Sequence, residues 1–329
     1  MKRLFPFRPP WPVSYLLALS IIALAVPLLA LLVMEAARLA ASERERLVGE
    51  AASSASRTAA DLDQTFNGYI ALLESLATTP ALAEDDFEAV YDQAVAALKP
   101  RGLFAFLRDH TGRQLFNTRV PFGATLPTSS NIDETVFEDG RPHVSDIVIG
   151  QVAKRPVMAV TVPVMRDGEI RYVLSLSLEP SLFKELLDRQ KLPPEWRGTI
   201  TDRKGHVIAR TVRHEEFLGK LFKEEAIRDK RNGAREGMDL EGRPVIWGSA
   251  PSRMSGWLVS VSVPAEIVEA STREALLSYV LIVAAFTCVG IAGAVGVARV
   301  ITRPLALAEK AAKSLGEGRH VEFTPTVVE

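Results

Sequence analysis

The chain has 329 residues, with 39 basic and 40 acidic side chains and a formal net charge of -1. This balance argues against a nucleic-acid partner, and the single cysteine, Cys288, excludes a disulfide framework. The mean hydropathy of +0.11 is high for a soluble protein.

Two apolar segments account for the high hydropathy. No charged residue lies between Arg8 and Glu35, or between Glu274 and Arg299. Residues 13–34 and 275–298 are therefore each predicted to cross about 30 Å of hydrocarbon as a helix. Basic side chains flank both, so that residues 1–12 and the C-terminal end are expected in the cytoplasm and the intervening region outside.

A long stalk helix is predicted over residues 35–84. Its apolar residues recur at steps of four and three, which is the spacing of a coiled-coil seam. The members of this seam are Leu62, Phe66, Tyr69, Leu73 and Leu76. In the upper half of the helix the seam packs either on its own domain or on a second chain, and both readings stay open; in the lower half the pattern favours contact with a second chain.

From residue 85 the pattern changes to strands, and it repeats. Asp109 and Gly112 begin and end a hairpin turn, and Asp202 and Gly205 do the same at an offset of 93 residues. Each unit ends in a further hairpin, whose second strand reads "LSLSL" or "VSVSV", with the apolar residues predicted inside and the serines outside. The sequence thus predicts an α+β fold of two tandem antiparallel-sheet modules, at 85–192 and 193–270.

This layout resembles the double-Cache extracellular sensor region, which has two tandem PAS-like modules on a stalk helix between two membrane spans. The segments that carry the resemblance include "RPHVSDIVIGQVAKRPVMAVTVPVMRDGEIRYVLSLSLEPSLFKELL", "GTITDRKGHVIAR" and "SGWLVSVSVPAEIV". The resemblance implies that 85–192 is distal to the membrane and 193–270 proximal. It also implies a homodimer in a bacterial inner membrane, with a periplasmic sensor domain that binds a small molecule.

The segment 299–329, "RVITRPLALAEKAAKSLGEGRHVEFTPTVVE", resembles the first helix and connector of a HAMP domain. Pro304 stands where that family places a proline just after the membrane, and an apolar stripe follows it. The second HAMP helix is missing, so we expect a truncated HAMP domain and an input half whose output module is absent. The alternative is a short amphipathic tail lying on the membrane.

Motifs for catalysis are absent from these residues. The five histidines are scattered, without metal-ligand spacing, and no nucleotide-binding glycine motif is present. No cofactor is expected. The Cache-like part of the sequence most resembles the input domain of proteobacterial sensor histidine kinases. The alternatives are a chemoreceptor, a cyclic-dinucleotide enzyme, or a membrane-anchored ligand-binding protein with no output.

The resemblance places a ligand in the distal module, within about residues 104–175. The candidate ligand-binding residues are Arg108, Asn117, Asp146, Arg155 and Tyr172. Arg155 lies in a loop where it could clamp the carboxylate of an organic acid; for each residue, surface charge or a salt bridge is the alternative. The aromatic amino-acid motif of some double-Cache receptors is not visible, which disfavours an ordinary amino acid. The tryptophans 196, 247 and 257 are expected in the proximal core, and the serines 175, 177, 260 and 262 on the solvent face.

Overall fold

The structure, a computed structural model, describes residues 13–128, 134–222, 233–267, 277–293 and 295–296. Contacts divide the chain into a compact unit, Arg44–Ile267, and a second unit made of Met1–Glu43 and Val268–Glu329. Within the described part of the chain, no helical segment combines the length and apolar character that crossing a membrane requires.

Several predicted segments fall on residues that are not described. The N-terminus, 1–12, and the predicted HAMP segment, 299–329, lie wholly outside the described residues, and the predicted spans 13–34 and 275–298 lie partly outside them. These assignments and the predicted domain boundaries stay predictions.

Six α-helices lie in the described part of the chain. They are α1 (Val13–Ala77), α2 (Pro80–Ala83), α3 (Phe87–Leu98), α4 (Glu134–Asp139), α5 (Pro180–Arg189) and α6 (His214–Phe217). Asp86 caps α3, because its side chain accepts a hydrogen bond from the Ala89 amide at 3.0 Å. A long helix was predicted over 35–84; in the structure α1 already begins at Val13 and ends at Ala77, and the short helix α2 follows it.

The stalk part of α1 packs on its own chain. The seam residues Leu62, Phe66 and Leu73 are fully buried, and so are Ala55 and Ala51, about two and three turns before Leu62. The seam therefore serves the core of the unit Arg44–Ile267. A contact with a second chain stays a prediction.

Two antiparallel sheets confirm the predicted α+β fold. The first sheet has the order β2-β1-β6-β5-β3, with β4 also paired to β5, and the second has the order β8-β7-β11-β10-β9. The strands are β1 (Phe104–Asp109), β2 (Gln114–Asn117), β3 (His143–Val144), β4 (Val148–Ile149), β5 (Pro156–Arg166), β6 (Glu169–Leu178), β7 (Arg197–Thr201), β8 (Val207–Arg210), β9 (Gly233–Met238), β10 (Pro244–Pro251) and β11 (Leu258–Pro264).

The predicted hairpin turns are confirmed. The Gly112 amide donates to the Asp109 carbonyl at 3.0 Å, and the Gly205 amide donates to the Asp202 carbonyl at 3.0 Å. Both glycines have positive φ, 78° and 89°, which L side chains rarely adopt. A change of either glycine would therefore strain its turn.

An aromatic cluster joins the stalk to the second sheet. The Phe66 ring lies 5.2 Å from the Trp257 ring and 5.8 Å from the Phe183 ring. Trp257 is fully buried and Trp196 is nearly so, as the sequence predicted, whereas Trp247 is half-buried.

The predicted position of the strand serines is wrong. All four are buried, with at most 8% of their surface exposed: Ser175, Ser177, Ser260 and Ser262. The alternation correctly predicted that they share one face of each sheet, but a single antiparallel sheet usually leaves that face wet. Here other segments cover this face in both modules, which encloses a cavity in each.

Candidate ligand-binding site

A cavity of about 120 Å³ lies on the serine face of the first sheet. Phe106 and Arg108 of β1 and Ser177 of β6 line its floor, and residues 148–153 cover it. Strand pairing explains why these side chains meet. Phe106 lies opposite both Asn117 of β2 and Ser175 of β6, so one row of the sheet crosses the cavity floor.

The polar side chains that line the cavity are hydrogen-bond donors or neutral amides. They are Arg108, Gln114, Asn117, Arg119, Gln151 and Ser177. Among the described residues that line the cavity, none is acidic. Arg108 is only 5% exposed, so the cavity has a buried positive charge in it. Such a lining suits a ligand with a negative charge.

The two amides hold each other in place. The Asn117 Nδ2 donates to the Gln114 Oε1 at 2.9 Å, and the Asn117 Oδ1 accepts from the Arg119 backbone amide at 3.1 Å. Both amide oxygens therefore already accept hydrogen bonds. The Gln114 Nε2 also donates to the Pro127 carbonyl at 3.4 Å, so each amide keeps one N–H and one oxygen lone pair for a ligand.

Arg119 is fixed by packing and by one acid behind the cavity. Its guanidinium lies 3.9 Å from the centre of the Phe104 ring, and its Nη2 donates to the Glu179 Oε1 at 3.1 Å. Burial lowers the pKa of Arg119, and the bond to Glu179 partly offsets this. The Arg155 Nη2 bonds the same Glu179 oxygen at 2.5 Å. One carboxylate is thus shared by two guanidinium groups, which leaves a positive charge on the cavity side.

The structure brings together only two of the predicted ligand residues. Arg108 and Asn117 line the cavity, whereas Asp146, Arg155 and Tyr172 lie outside its lining. The Asp146 Oδ1 accepts from the Arg203 Nε at 3.0 Å, and the Tyr172 hydroxyl donates to the Asp85 Oδ1 at 2.9 Å. Arg155 is held at the surface by Glu179, so all three already have protein partners.

The sequence reading missed four polar residues of the lining, Gln114, Arg119, Gln151 and Ser177. Arg119 could have been found, because it follows Asn117 by two residues and so continues the same face of the chain. Ser177 was assigned to the correct face, but that face was taken to be wet.

Metal binding has no support in the described part of the chain. No group of three or more His, Cys, Asp or Glu side chains there is arranged to hold an ion.

Two antiparallel sheets follow one long helix in the chain, and a small covered cavity lies on the first sheet, which is an architecture of the PAS-like class. The Cache domain model dCache_1 matches residues 37–272. The chain therefore belongs to the Cache domain family.

Solved structures share this fold. One is the extracellular domain of a proposed histidine kinase, with 13% identity over 70% of this chain and 98% of that chain and a TM-score of 0.55. Another is the ligand-binding domain of the Pseudomonas fluorescens chemoreceptor CtaA in complex with L-isoleucine, with 15% identity, coverage of 70% and 97%, and a TM-score of 0.55. A third is that of the Pseudomonas aeruginosa amino acid chemoreceptor PctB in complex with L-Arg, with 16% identity, coverage of 68% and 97%, and a TM-score of 0.53.

A search of curated proteins gave no match to the sequence.

Proposed function

We propose that this chain is the sensory input part of a transmembrane signalling receptor, and that the cavity of the first module binds a small carboxylate. The observation that carries the proposal is the cavity lining, with two arginines, three amides and a hydroxyl but no acid among its described residues. A carboxylate accepts hydrogen bonds only, and guanidinium groups match its two oxygens.

The size of the cavity limits the ligand. Its volume of about 120 Å³ is slightly below the roughly 150 Å³ of an apolar cavity that accommodates benzene. A carboxylate with two to four carbons fits this space. Its apolar end would lie against Val157 and Ala159 of β5, and its carboxylate against Arg108 and Arg119.

An amino acid is the second candidate ligand, since two of the chemoreceptor domains with this fold were solved with amino acids bound. Its ammonium group needs acceptors, and a carboxylate is the strongest of these. The amide oxygens of Gln114 and Asn117 each already accept one hydrogen bond, and no carboxylate is among the described residues of the lining. The lining therefore favours an organic acid without an amino group.

Calorimetric titration tests the ligand class. The panel is acetate, propionate, pyruvate and L-lactate, with L-alanine and L-serine as the amino-acid arm. Arg108→Gln and Arg119→Gln should each weaken carboxylate binding by roughly 10-fold to 100-fold, since each removes a charge-assisted hydrogen bond. Arg155→Gln is the matched control, because Arg155 shares Glu179 but does not line the cavity, and it should change affinity less than about twofold.

Two results would count against the ligand class. Binding of L-alanine or L-serine with no binding of the four acids would favour the amino-acid candidate. Equal weakening by Arg155→Gln and Arg119→Gln would mean that the loss comes from the ion pair with Glu179 and not from a ligand contact.

The signalling part of the proposal rests on the family and on the sequence. We propose spans at 13–34 and 275–298, a homodimer, and an output that receives the signal through a HAMP segment beginning near residue 299. A bound ligand would favour one of two packings of the paired chains. Crosslinking between cysteines placed on the two copies of 275–298 tests this. A pattern that is the same with and without ligand would count against it.

A histidine kinase is the proposed output, because the input resembles that of sensor kinases. The structures with this fold include both a proposed kinase and chemoreceptors, so the test is the gene downstream of codon 329. A second HAMP helix followed by a dimerisation helix with a phosphorylatable histidine supports the kinase. A different signalling domain there overturns it.

A further inference from the structure

A second, smaller cavity lies on the serine face of the second sheet. Its volume is about 10 Å³, which leaves room for a single small particle. Its lining combines apolar and cationic side chains with hydroxyl groups: Arg197, Thr199, Arg210, Phe222, Asp239, Leu240, Val245, Trp247, Ser260 and Ser262.

Several N–H groups of the side chains that line this cavity are buried without a hydrogen-bond acceptor. Arg210 is 2% exposed, and neither its Nε nor its Nη1 has an acceptor in the described part of the chain. The same holds for the Nε of Arg197 and the Nε1 of Trp247. Arginine and tryptophan side chains can only donate. Since a buried donor without an acceptor destabilises the fold, a cavity lined by three such residues needs an acceptor inside it.

The neighbouring carboxylates are already bound elsewhere. The Arg210 Nη2 bond to the Glu241 Oε1 is long, at 3.4 Å, and Glu241 also pairs with Arg213 and Arg243. The Asp239 Oδ2 accepts from both the Nε and the Nη2 of Arg243, at 3.0 and 2.9 Å. Neither of these two acids accepts a hydrogen bond from the Nε or the Nη1 of Arg210.

This cavity is the counterpart of the larger one in the first module. Arg210 lies opposite Thr199, and Thr199 lies opposite Ser260. In the first sheet, Asn117 lies opposite Phe106, and Phe106 lies opposite Ser175, in the same register. Arg210 thus takes the place that Asn117, a lining residue, has in the first cavity.

We propose that the cavity of the second module is a separate binding site for a single halide ion of the chloride type. The N–H groups of Arg210, Arg197 and Trp247 would surround the ion, and the hydroxyls of Thr199 and Ser260 lie on the same face. A carboxylate or phosphate is too large for the space. Water is the competing occupant, because the hydroxyls of Thr199, Ser260 and Ser262 could accept its protons; a halide has no protons to place, and the experiments below distinguish the two.

Thermal unfolding of the purified 329-residue chain tests the site. The melting temperature is compared in sodium chloride, sodium bromide and sodium isethionate at equal ionic strength, because isethionate is a sulfonate too large for the cavity. We expect both halides to raise the melting temperature by roughly 2–4 °C over isethionate. Equal melting temperatures in all three salts overturn the proposal.

Two variants separate a specific site from a general salt effect. Arg210→Met keeps the apolar length of the side chain and removes its donors, so the halide increment should vanish. Arg213→Gln is the matched control, because Arg213 also pairs with Glu241 but is 48% exposed and does not line the cavity. It should keep the increment. If both variants lose it, or both keep it, the proposal fails.

Crystals of the unmodified chain grown in bromide give a reading that does not depend on the variants folding. An anomalous peak beside the Nε of Arg210 supports the site. A density peak without anomalous signal means that water occupies the cavity, and it overturns the proposal. Neither result affects the proposed carboxylate site in the first module.

Discussion

The Asp146 carboxylate binds the backbone and the side chain of Arg203 at once. Its Oδ1 accepts from the Arg203 amide at 3.2 Å and from the Arg203 Nε at 3.0 Å. Asp146 lies between β3 and β4 of the first sheet, and Arg203 lies in the turn between β7 and β8 of the second. The Arg203 Nη2 also lies 3.2 Å from the His143 Nε2. This contact links the two modules.

Replacing Asp146 should weaken the link between the modules and leave the ligand cavity intact. Asp146→Ala removes both bonds to Arg203, so we expect it to lower the free energy of unfolding by about 1–3 kcal/mol. Carboxylate affinity should change less than twofold, since Asp146 does not line the cavity. Urea unfolding and calorimetry measure the two effects. Asp92→Ala, at an exposed position on α3, is the control and should have little effect on stability.

A double-mutant cycle sharpens this prediction. If Asp146 acts through Arg203, the effects of Asp146→Ala and Arg203→Ala on unfolding should not add, because the two residues share one interaction. Additive effects would show that Asp146 stabilises the fold by another route.

Gly248 permits the closest approach of the stalk helix to the second sheet. A Cβ built on Gly248 would overlap the backbone nitrogen and Cα of Ala52, and it would also press on the Ala51 carbonyl carbon. Helix backbone cannot move aside as a side chain can, so Gly248→Ala should destabilise the protein by about 1–3 kcal/mol or more. Gly68→Ala is the control on the exposed side of α1, where nothing lies within 4 Å. It should stabilise by about 0.5–1 kcal/mol, and chemical denaturation compares the two. Equal tolerance of both changes would mean that α1 does not pack tightly on β10.

The sequence predicted the elements whose signals are local. The Asp and Gly of each hairpin turn specify a turn that needs no tertiary contact. The repeat at an offset of 93 residues predicted two copies of one module, and in the structure Asn117 and Arg210 have equivalent pairing positions in the two sheets. Burial of Leu62 and Phe66 followed from their spacing, although spacing alone could not say which surface they meet.

The lining of the cavity in the first module was harder to predict, because what covers a sheet face is not a local property. Ser177 alternates like an ordinary solvent-facing residue, and only the loop 148–153 above it makes that face a cavity. Arg155 and Tyr172 have side chains suited to a carboxylate, but Glu179 and Asp85, far away in the sequence, are their partners. The sequence could suggest arginines as partners of an anionic ligand. Which of these arginines line the cavity depends on the tertiary structure.

Tyr172 provides a test of which predicted residues bind ligand. Its hydroxyl donates to Asp85, and its ring meets the edge of Phe87 with centroids 5.5 Å apart. Tyr172→Phe keeps the ring and removes one hydrogen bond, so it should cost about 0.5–1.5 kcal/mol of stability. Carboxylate affinity should be unchanged. A loss of affinity as large as that of Arg119→Gln would return Tyr172 to the binding site.

His214 should make the stability depend on pH. Burial lowers the pKa of His214, and Lys184 of α5 acts in the same direction, while the acids Glu215 and Asp188 oppose them. In the unfolded chain, His214 binds a proton as the pH falls through about 6.5, whereas in the folded chain it binds this proton only at a lower pH. The contribution of His214 is therefore fully present above about pH 6.5 and is lost as the pH falls from there through the folded pKa.

The variant His214→Gln separates the pH dependence of stability that comes from His214 from that of the carboxylates. His214→Gln cannot titrate, so the difference in free energy of unfolding between the native chain and the variant should fall as the pH is lowered from 7.5 to 5. Urea unfolding at several pH values gives this difference directly. The buried Nδ1 of His214 has no hydrogen-bond partner in the described part of the chain. Parallel stability curves for the two proteins would mean that His214 binds its proton equally well in the folded and the unfolded state. The folded chain would then have to rearrange so that an acceptor reaches this Nδ1.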